Sequence, residues 1–216
     1  MSRKNNPMLV GQPVLIVVDI QQACFVSADD SGIAMMPDMP DRMRRARLVI
    51  DAARESGVPI VFLQECHRRS GVDFGRELDG NEDEHLIEGD AATEIAAEVV
   101  GLRSDDDVIR KRRYSGFIGT DLDILLRGYR AETLVLVGGL TNVCVHYTFA
   151  DGHQRDYHCR VVEDCVAGSD AAAHDAALTA MEYLQHGARR SSTEIVEAFR
   201  SRPAAPSRAV SGMERA

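Results

Sequence analysis

The sequence predicts a single-domain α/β protein, a three-layer α/β/α sandwich around a six-stranded, mostly parallel sheet. Three observations predict it. Short apolar runs rich in Val, Ile and Leu recur without polar alternation, which marks strands buried on both faces. Segments with apolar residues at helical spacing stand between those runs, so strand and helix alternate. The chain has 216 residues, 44% of them hydrophobic, the material of one domain of ordinary size.

Residues 14–18, Val-Leu-Ile-Val-Val, form the first expected strand. Residues 41–56 follow as a helix, with Met43, Ala46, Val49, Ile50 and Ala53 on one stripe and Gly57 as its stop. Residues 58–63 read as the second strand, which completes a βαβ unit with parallel pairing and a right-handed crossover. Residues 66–90 are rich in Gly, Asp and Glu and read as a long loop, a length that in compact domains usually serves function. A short helix is expected over 91–100, a third strand over 107–110 bounded by Lys111, and a helix over 121–127 with Thr120 as a cap. Strand four is 133–137, followed by a helix over 143–156 and strand five over 159–163. Residues 171–186 are helical, capped near Ser169 or Asp170, and 192–196 read as the sixth strand. The domain is expected to span 9–199, with a disordered tail over 200–216.

The formal net charge of −9 argues against nucleic acid as a partner. The basic run Arg110-Lys111-Arg112-Arg113 is too short to reverse this, and the acidic stretch 77–90 outweighs it as a solvated surface. No stretch approaches the roughly 18–20 apolar residues of a membrane span. The basic N-terminus is a poor signal peptide, so a cytoplasmic location is expected. The five cysteines show no C-x-x-C spacing, which favours reduced thiols over a disulfide framework or zinc ribbon. No G-x-G-x-x-G follows the first strand and no G-x-x-x-x-G-K-[ST] is present, so a dinucleotide or NTP site is not supported.

Three polar residues fall at the carboxyl ends of three strands. Asp19 closes strand one, Lys111 closes strand three, and Cys144 follows strand four after the Gly138-Gly139 turn. In a doubly wound sheet these ends face one crevice. Taken singly, each has an ordinary explanation: a turn residue, a solvated charge, a small buried thiol. Together they supply a base, a cation and a nucleophile, the requirements of covalent acyl transfer. Side chains alternate along an extended segment, so Lys111 points opposite to Arg110 and Arg112.

Asp19-Ile20-Gln21-Gln22-Ala23-Cys24-Phe25 resembles the Asp-x-Gln-x-x-Phe-type opening of the isochorismatase-like cysteine hydrolases. Lys111 with Tyr114-Ser115-Gly116-Phe117 is similar to that family's lysine segment, and Gly138-Gly139-Leu140-Thr141-Asn142-Val143-Cys144-Val145 to its nucleophile segment. Asp151-Gly152, Val162-Glu163-Asp164 and His174 continue the pattern in order over about residues 11–198. The resemblance implies a Rossmann-like fold and hydrolysis of a C–N bond in a small amide, ureide or carbamoyl compound. The N-carbamoylsarcosine and ureidoacrylate amidohydrolases are the members most resembled. It implies Asp19, Lys111 and Cys144 as the catalytic triad. It also implies a cis Gly139–Leu140 peptide, with the N–H groups of Leu140 and Cys144 as the oxyanion hole. A homodimer or homotetramer is expected from the same resemblance.

Gln21, Phe25, Tyr114, Phe117 and Asn142 are expected to bind substrate, with core packing the competing role for the aromatic ones. His146, two residues beyond the nucleophile, points to a different side of its helix and is read as structural or as a pocket-rim group. Nicotinamidases of this family hold a metal through an Asp-x-His and further histidines. Glu65-Cys66-His67 and His85 match that only partly, and Asp73 stands where another histidine would. They are read as polar loop residues at the crevice mouth; no metal and no cofactor are expected. Vinyl-ether hydrolysis of an isochorismate-like substrate is the alternative activity. A non-catalytic interaction protein of the same fold is a third reading, which the presence of Cys144 disfavours.

Overall fold

The computed structural model describes residues 7–202. Its elements run β1 (Gln12–Val18), α1 (Ala28–Ser31), α2 (Met39–Glu55), β2 (Ile60–Glu65), α3 (Ala97–Val100), β3 (Asp107–Lys111), α4 (Leu122–Gly128), β4 (Ala131–Gly139), α5 (His146–Gln154), β5 (His158–Ala167), α6 (Ala171–Leu184), β6 (Arg189–Arg190) and α7 (Ser192–Arg200). The six strands form one sheet in the order β3-β2-β1-β4-β5-β6, with every pairing parallel. The chain starts at the centre, winds outward through β2 and β3, then returns beside β1 as β4 and winds the other way. The carboxyl ends of β1 and β4 therefore border the switch point, where open α/β sheets bind ligands.

Alternation along the strands divides the core into two layers. Leu15, Val17 and Phe62 face α2, α3 and α7, packing with Met43, Ile50, Val100, Ile195 and Phe199. Val14, Ile16 and Val18 face α4, α5 and α6, packing with Leu122, Phe149, Leu178 and Met181. Both faces of the central strands are thus covered, as their unbroken apolar runs require.

Two expectations are corrected. Residues 192–196 belong to α7, and the sixth strand is the short β6, paired with Val161 and Val162 of β5. The β-branched Thr193, Ile195 and Val196 suggest a strand, but a capping box overrides them. The Ser191 side chain accepts from the Glu194 N–H while the Glu194 carboxylate accepts from the Ser191 N–H. Ile195 and Phe199, four residues apart, then share the buried face of the helix. The helix expected over 91–100 is split into a 3-10 turn, Ala91–Thr93, and α3. Between them the Ala96 N–H donates to the Ile20 carbonyl at 3.0 Å, so the chain there pairs with the segment after β1 instead of coiling. Helix α7 reaches Arg200, and residues 203–216 of the expected tail lie outside the described residues. Among the described residues no helix is long and apolar enough to cross a membrane.

Candidate active site

Strands β1, β2 and β3 each lead into an ionisable side chain at the carboxyl edge. Glu65 and Lys111 are register partners at the ends of β2 and β3, so their side chains emerge on the same face. Asp19 follows β1 in the left-handed region, φ +49°, which Asp enters more readily than most residues. That turn is anchored: the Asp19 N–H donates to the Leu63 carbonyl at 3.1 Å, and the Glu65 N–H donates to Asp19 Oδ1 at 2.9 Å. Gln21 lines the cavity, but its amide is committed to the backbone. Its Nε2 donates to the Glu65 and Thr93 carbonyls at 2.9 and 2.6 Å, and its Oε1 accepts from the Glu65 N–H at 3.0 Å. Gln21 fixes Asp19 and Glu65 relative to each other.

Cys144 arrives from the other side of the switch point. At Gly138, φ is +116° and a Cβ would stand 1.9 Å from the Val18 carbonyl oxygen, so only glycine lets β4 pass β1 there. The Gly139–Leu140 peptide is cis. A wide helical turn, Thr141–Val145, follows, in which the Val143 and Val145 N–H groups both donate to the Leu140 carbonyl at 3.1 Å. The turn is held from α6 by a 2.8 Å hydrogen bond between Thr141 Oγ1 and His174 Nδ1. Asn142 holds it to the segment before α6: its Oδ1 accepts from the Ser169 N–H at 2.9 Å and its Nδ2 donates to Ser169 Oγ at 3.0 Å.

Lys111 is the hub. It is fully buried, and its Nζ stands 2.8 Å from Asp19 Oδ2, 2.7 Å from Glu65 Oε2 and 3.3 Å from Cys144 Sγ. The Cys144 thiol donates to Glu65 Oε2 at 3.2 Å, and carboxylate oxygens of Asp19 and Glu65 and the sulfur all lie within 4.8 Å of one another. The three residues expected to converge do converge, and Glu65 joins them. The rule that found the others also identifies it: Glu65 is the polar residue ending β2. Considered only as half of a metal motif, it escapes notice as a partner of the lysine.

Burial pushes the Asp19 carboxyl up to about 6 against the pull of Lys111, with Glu65 adding to the rise. Burial also opposes the Glu65 charge, yet Lys111 and the two histidines hold its carboxyl well below the usual range. Burial disfavours the Lys111 ammonium too, but Asp19, Cys144 and Glu65 outweigh it and keep the amine charged. The Cys144 thiol is held well above its ordinary value by burial and the Glu65 charge, which exceed the stabilisation from Lys111. The stabilisation that Lys111 offers a thiolate is thus outweighed at rest.

The cavity wall departs from expectation. Tyr114 lines it and donates from its hydroxyl to Glu82 Oε2 at 3.0 Å. Phe25 packs with the α2 layer under the Arg44 guanidinium, and Phe117 lies in the opposite layer against Tyr157; neither lines the cavity. Ile33, Met35, Met39, Leu86 and Val143 supply the apolar wall instead. These come from the segments around residues 33–39 and 86, whose approach to the site only the folded loops reveal. Asn142 lines the outer vestibule, its amide taken by Ser169. His146 does not line the cavity and stands beside Tyr147, in keeping with a structural role.

Glu65, His67, Glu77 and His85 are buried together, with one donor atom of each within 4.8 Å of the others. They are not polar groups at the crevice mouth. His67 Nε2 faces Glu65 Oε1 and Glu77 Oε2, both at 3.2 Å, and one N–H cannot serve both. Glu77 is left with neither carboxylate oxygen hydrogen-bonded. Two imidazoles and two carboxylates around an unsatisfied buried carboxylate form a donor set that fits a divalent cation. Burial opposes a charge on His67, but Glu65 and Glu77 raise its pKa to about 9.

Comparison with known proteins gives a consistent picture. The isochorismatase domain model matches residues 13–195. A ureidoacrylate amidohydrolase of Methylobacterium radiotolerans is 33% identical over 93% of this chain and 83% of its own length. Among solved structures, a cysteine hydrolase of Pseudomonas syringae superposes with a TM-score of 0.79 at 27% identity, covering 91% of this chain and 99% of that one. The N-carbamoylsarcosine amidase of Thermoplasma acidophilum superposes with a TM-score of 0.70 at 30% identity, covering 84% and 97%.

Proposed function

The chain belongs to the isochorismatase family, and we propose that it is a cysteine-dependent hydrolase cleaving a non-peptide C–N bond of a small amide, ureide or carbamoyl compound. The observation that carries this reading is the buried Lys111 ammonium, in contact with Asp19 at 2.8 Å and Cys144 at 3.3 Å. A base, a cation and a nucleophile share one site beside an apolar cavity.

Asp19 takes the thiol proton as the Cys144 sulfur attacks the carbonyl carbon of the substrate. The C–S bond forms and the carbonyl π-electrons move to oxygen, where the Leu140 and Cys144 N–H groups stabilise the negative charge. Lys111 keeps the developing thiolate and the Asp19 carboxylate electrostatically balanced. The oxyanion then collapses, the C–N bond breaks, and the proton held by Asp19 passes to the leaving nitrogen. Ammonia or an amine departs and an acyl-cysteine remains. Water, deprotonated by Asp19, attacks the thioester carbon; the C–S bond breaks and the sulfur is reprotonated. A vinyl-ether hydrolysis has no use for an acyl-cysteine, so the assembled triad favours the amidohydrolase. Hydroxylamine tests the intermediate: trapping the thioester yields a hydroxamate of the substrate acyl group. Amide turnover that never yields hydroxamate argues against the covalent route.

The donor set beneath the triad supports a second element of this reading. Glu65 Oε1, His67 Nε2, a Glu77 oxygen and His85 Nε2 would hold a divalent cation, while Glu65 Oε2 stays on Lys111. Such a cation supplies Lewis acidity beside the triad. A cytoplasmic homodimer or homotetramer belongs to the same proposal, and sedimentation analysis measures its subunit count.

A further inference from the structure

Among the described residues, the cavity is lined by carboxylates and one histidine, with no lysine or arginine to receive an anion. Asp19 and Glu65 line it, and Glu82 lines both this cavity and an adjoining vestibule that Glu77 and Asp170 also line. Among the described residues, no Lys or Arg lines the inner cavity or this vestibule. Lys111 is fully buried and engaged by Asp19 and Glu65. His85 does line the cavity, but its Nδ1 is bonded to the Asp83 carbonyl at 2.7 Å and its Nε2 faces Glu65 Oε1 at 3.5 Å. A substrate carboxylate entering here finds no free lysine or arginine, and a divalent cation held by the cluster would have its charge matched by the Glu65 and Glu77 carboxylates. The substrate carboxylate meets Glu82 instead.

Glu82 is itself positioned. The Tyr114 hydroxyl donates to its Oε2 at 3.0 Å, and the Tyr114 ring stacks on Tyr147 with centroids 5.8 Å apart. The same cavity is walled by Ile33, Leu86, Leu140 and Val143. A carboxylate fixed in an apolar cleft recognises an N–H donor or an ammonium and repels another carboxylate. Building on the hydrolase reading above, we infer that Glu82 sets the substrate class. The protein acts on small amides or ureides whose far end is an ammonium or a neutral N–H donor, and it rejects those ending in a carboxylate. Ureidoacrylate, the substrate in the name of the relative from Methylobacterium, ends in a carboxylate. It therefore belongs to the rejected class.

Alkylation of Cys144 tests this without knowledge of the substrate. Iodoacetamide, iodoacetate and bromoethylammonium each transfer a two-carbon group to sulfur with loss of halide, and differ in charge. Rates at the Cys144 peptide are read by mass spectrometry and normalised to a neutral cysteine peptide at the same pH. The expected result is an iodoacetate rate at least about tenfold below that of iodoacetamide, with bromoethylammonium at or above it. Glu82→Gln should narrow the gap several-fold, Glu82→Lys should invert it, and Tyr114→Phe, which only releases Glu82, should narrow it less. Iodoacetate reacting as fast as iodoacetamide would overturn the inference. So would a gap that Glu82→Gln and Glu82→Lys, both folded by circular dichroism, leave unmoved. If Cys144 in the folded protein resists all three reagents, it is the hydrolase reading that fails.

Discussion

As the proposed nucleophile, Cys144 depends on what surrounds it. A buried thiol with its pKa held up is inert until a neighbour removes its proton, and Asp19, raised to about 6, can do so only when ionised. The kcat/KM profile should therefore show an acid limb: activity present above about pH 6 and lost as pH falls through it. A limb at the ordinary carboxylate pKa would assign the base elsewhere. Lys111 is separable from its neighbours by direction. Arg110 is exposed and pairs with Glu88, Arg112 bonds Cys66 and Asp73, and Arg113 turns to Asp73. Lys111→Ala should lower kcat/KM by at least about a hundredfold, the usual scale for one electrostatic catalytic group. Arg110→Ala should leave it nearly unchanged, and four alanine variants of the run measured side by side decide the matter. The convergence of Asp19, Lys111 and Cys144 was legible in the sequence because each ends a strand or follows one at a turn. The pocket wall was not. Phe25 and Phe117 belong to opposite core layers, and nothing in their spacing distinguishes a core ring from a wall ring.

At the scale of elements, the βα turn after β4 depends on the absence of a side chain. Gly138→Ala drives a methyl group into the Val18 carbonyl in a left-handed backbone and should abolish folding or lower Tm sharply. Gly128→Ala, in α4 with nothing within 4 Å of the added carbon, should match or exceed the native Tm. Differential scanning calorimetry compares them directly. Helix α7 shows where local pattern misleads. Its β-branched residues favour a strand, and the Ser191–Glu194 capping box favours a helix. The box prevails because the helix buries Ile195 and Phe199 while Asp164 accepts from both the N–H and the hydroxyl of Ser192. Ser191→Ala should cost about 1 kcal/mol of stability, measured by denaturant unfolding.

The whole molecule joins these levels through its winding. Reversal of the strand order between β1 and β4 sets Asp19 beside the Cys144 turn, and the β2–β3 register brings Glu65 and Lys111 to the same edge. The alternation of apolar runs and helices makes this architecture readable from sequence. The convergence of His67, Glu77 and His85 does not emerge from it, since the long loop folds inward by contacts that carry no period. That convergence predicts one zinc per chain after metal removal and readdition. Plasma emission should show it reduced in Glu77→Gln, and a native protein indifferent to zinc would return the cluster to a purely hydrogen-bonded role. In the proposed function this architecture delivers one sulfur atom to a carbonyl carbon. Ammonia release from a panel of small amides and ureides, by the native protein and by Cys144→Ala, tests it most directly. The native protein should release ammonia, and a Cys144→Ala variant of unchanged circular dichroism and Tm should release none. Near-native release by that variant would contradict it.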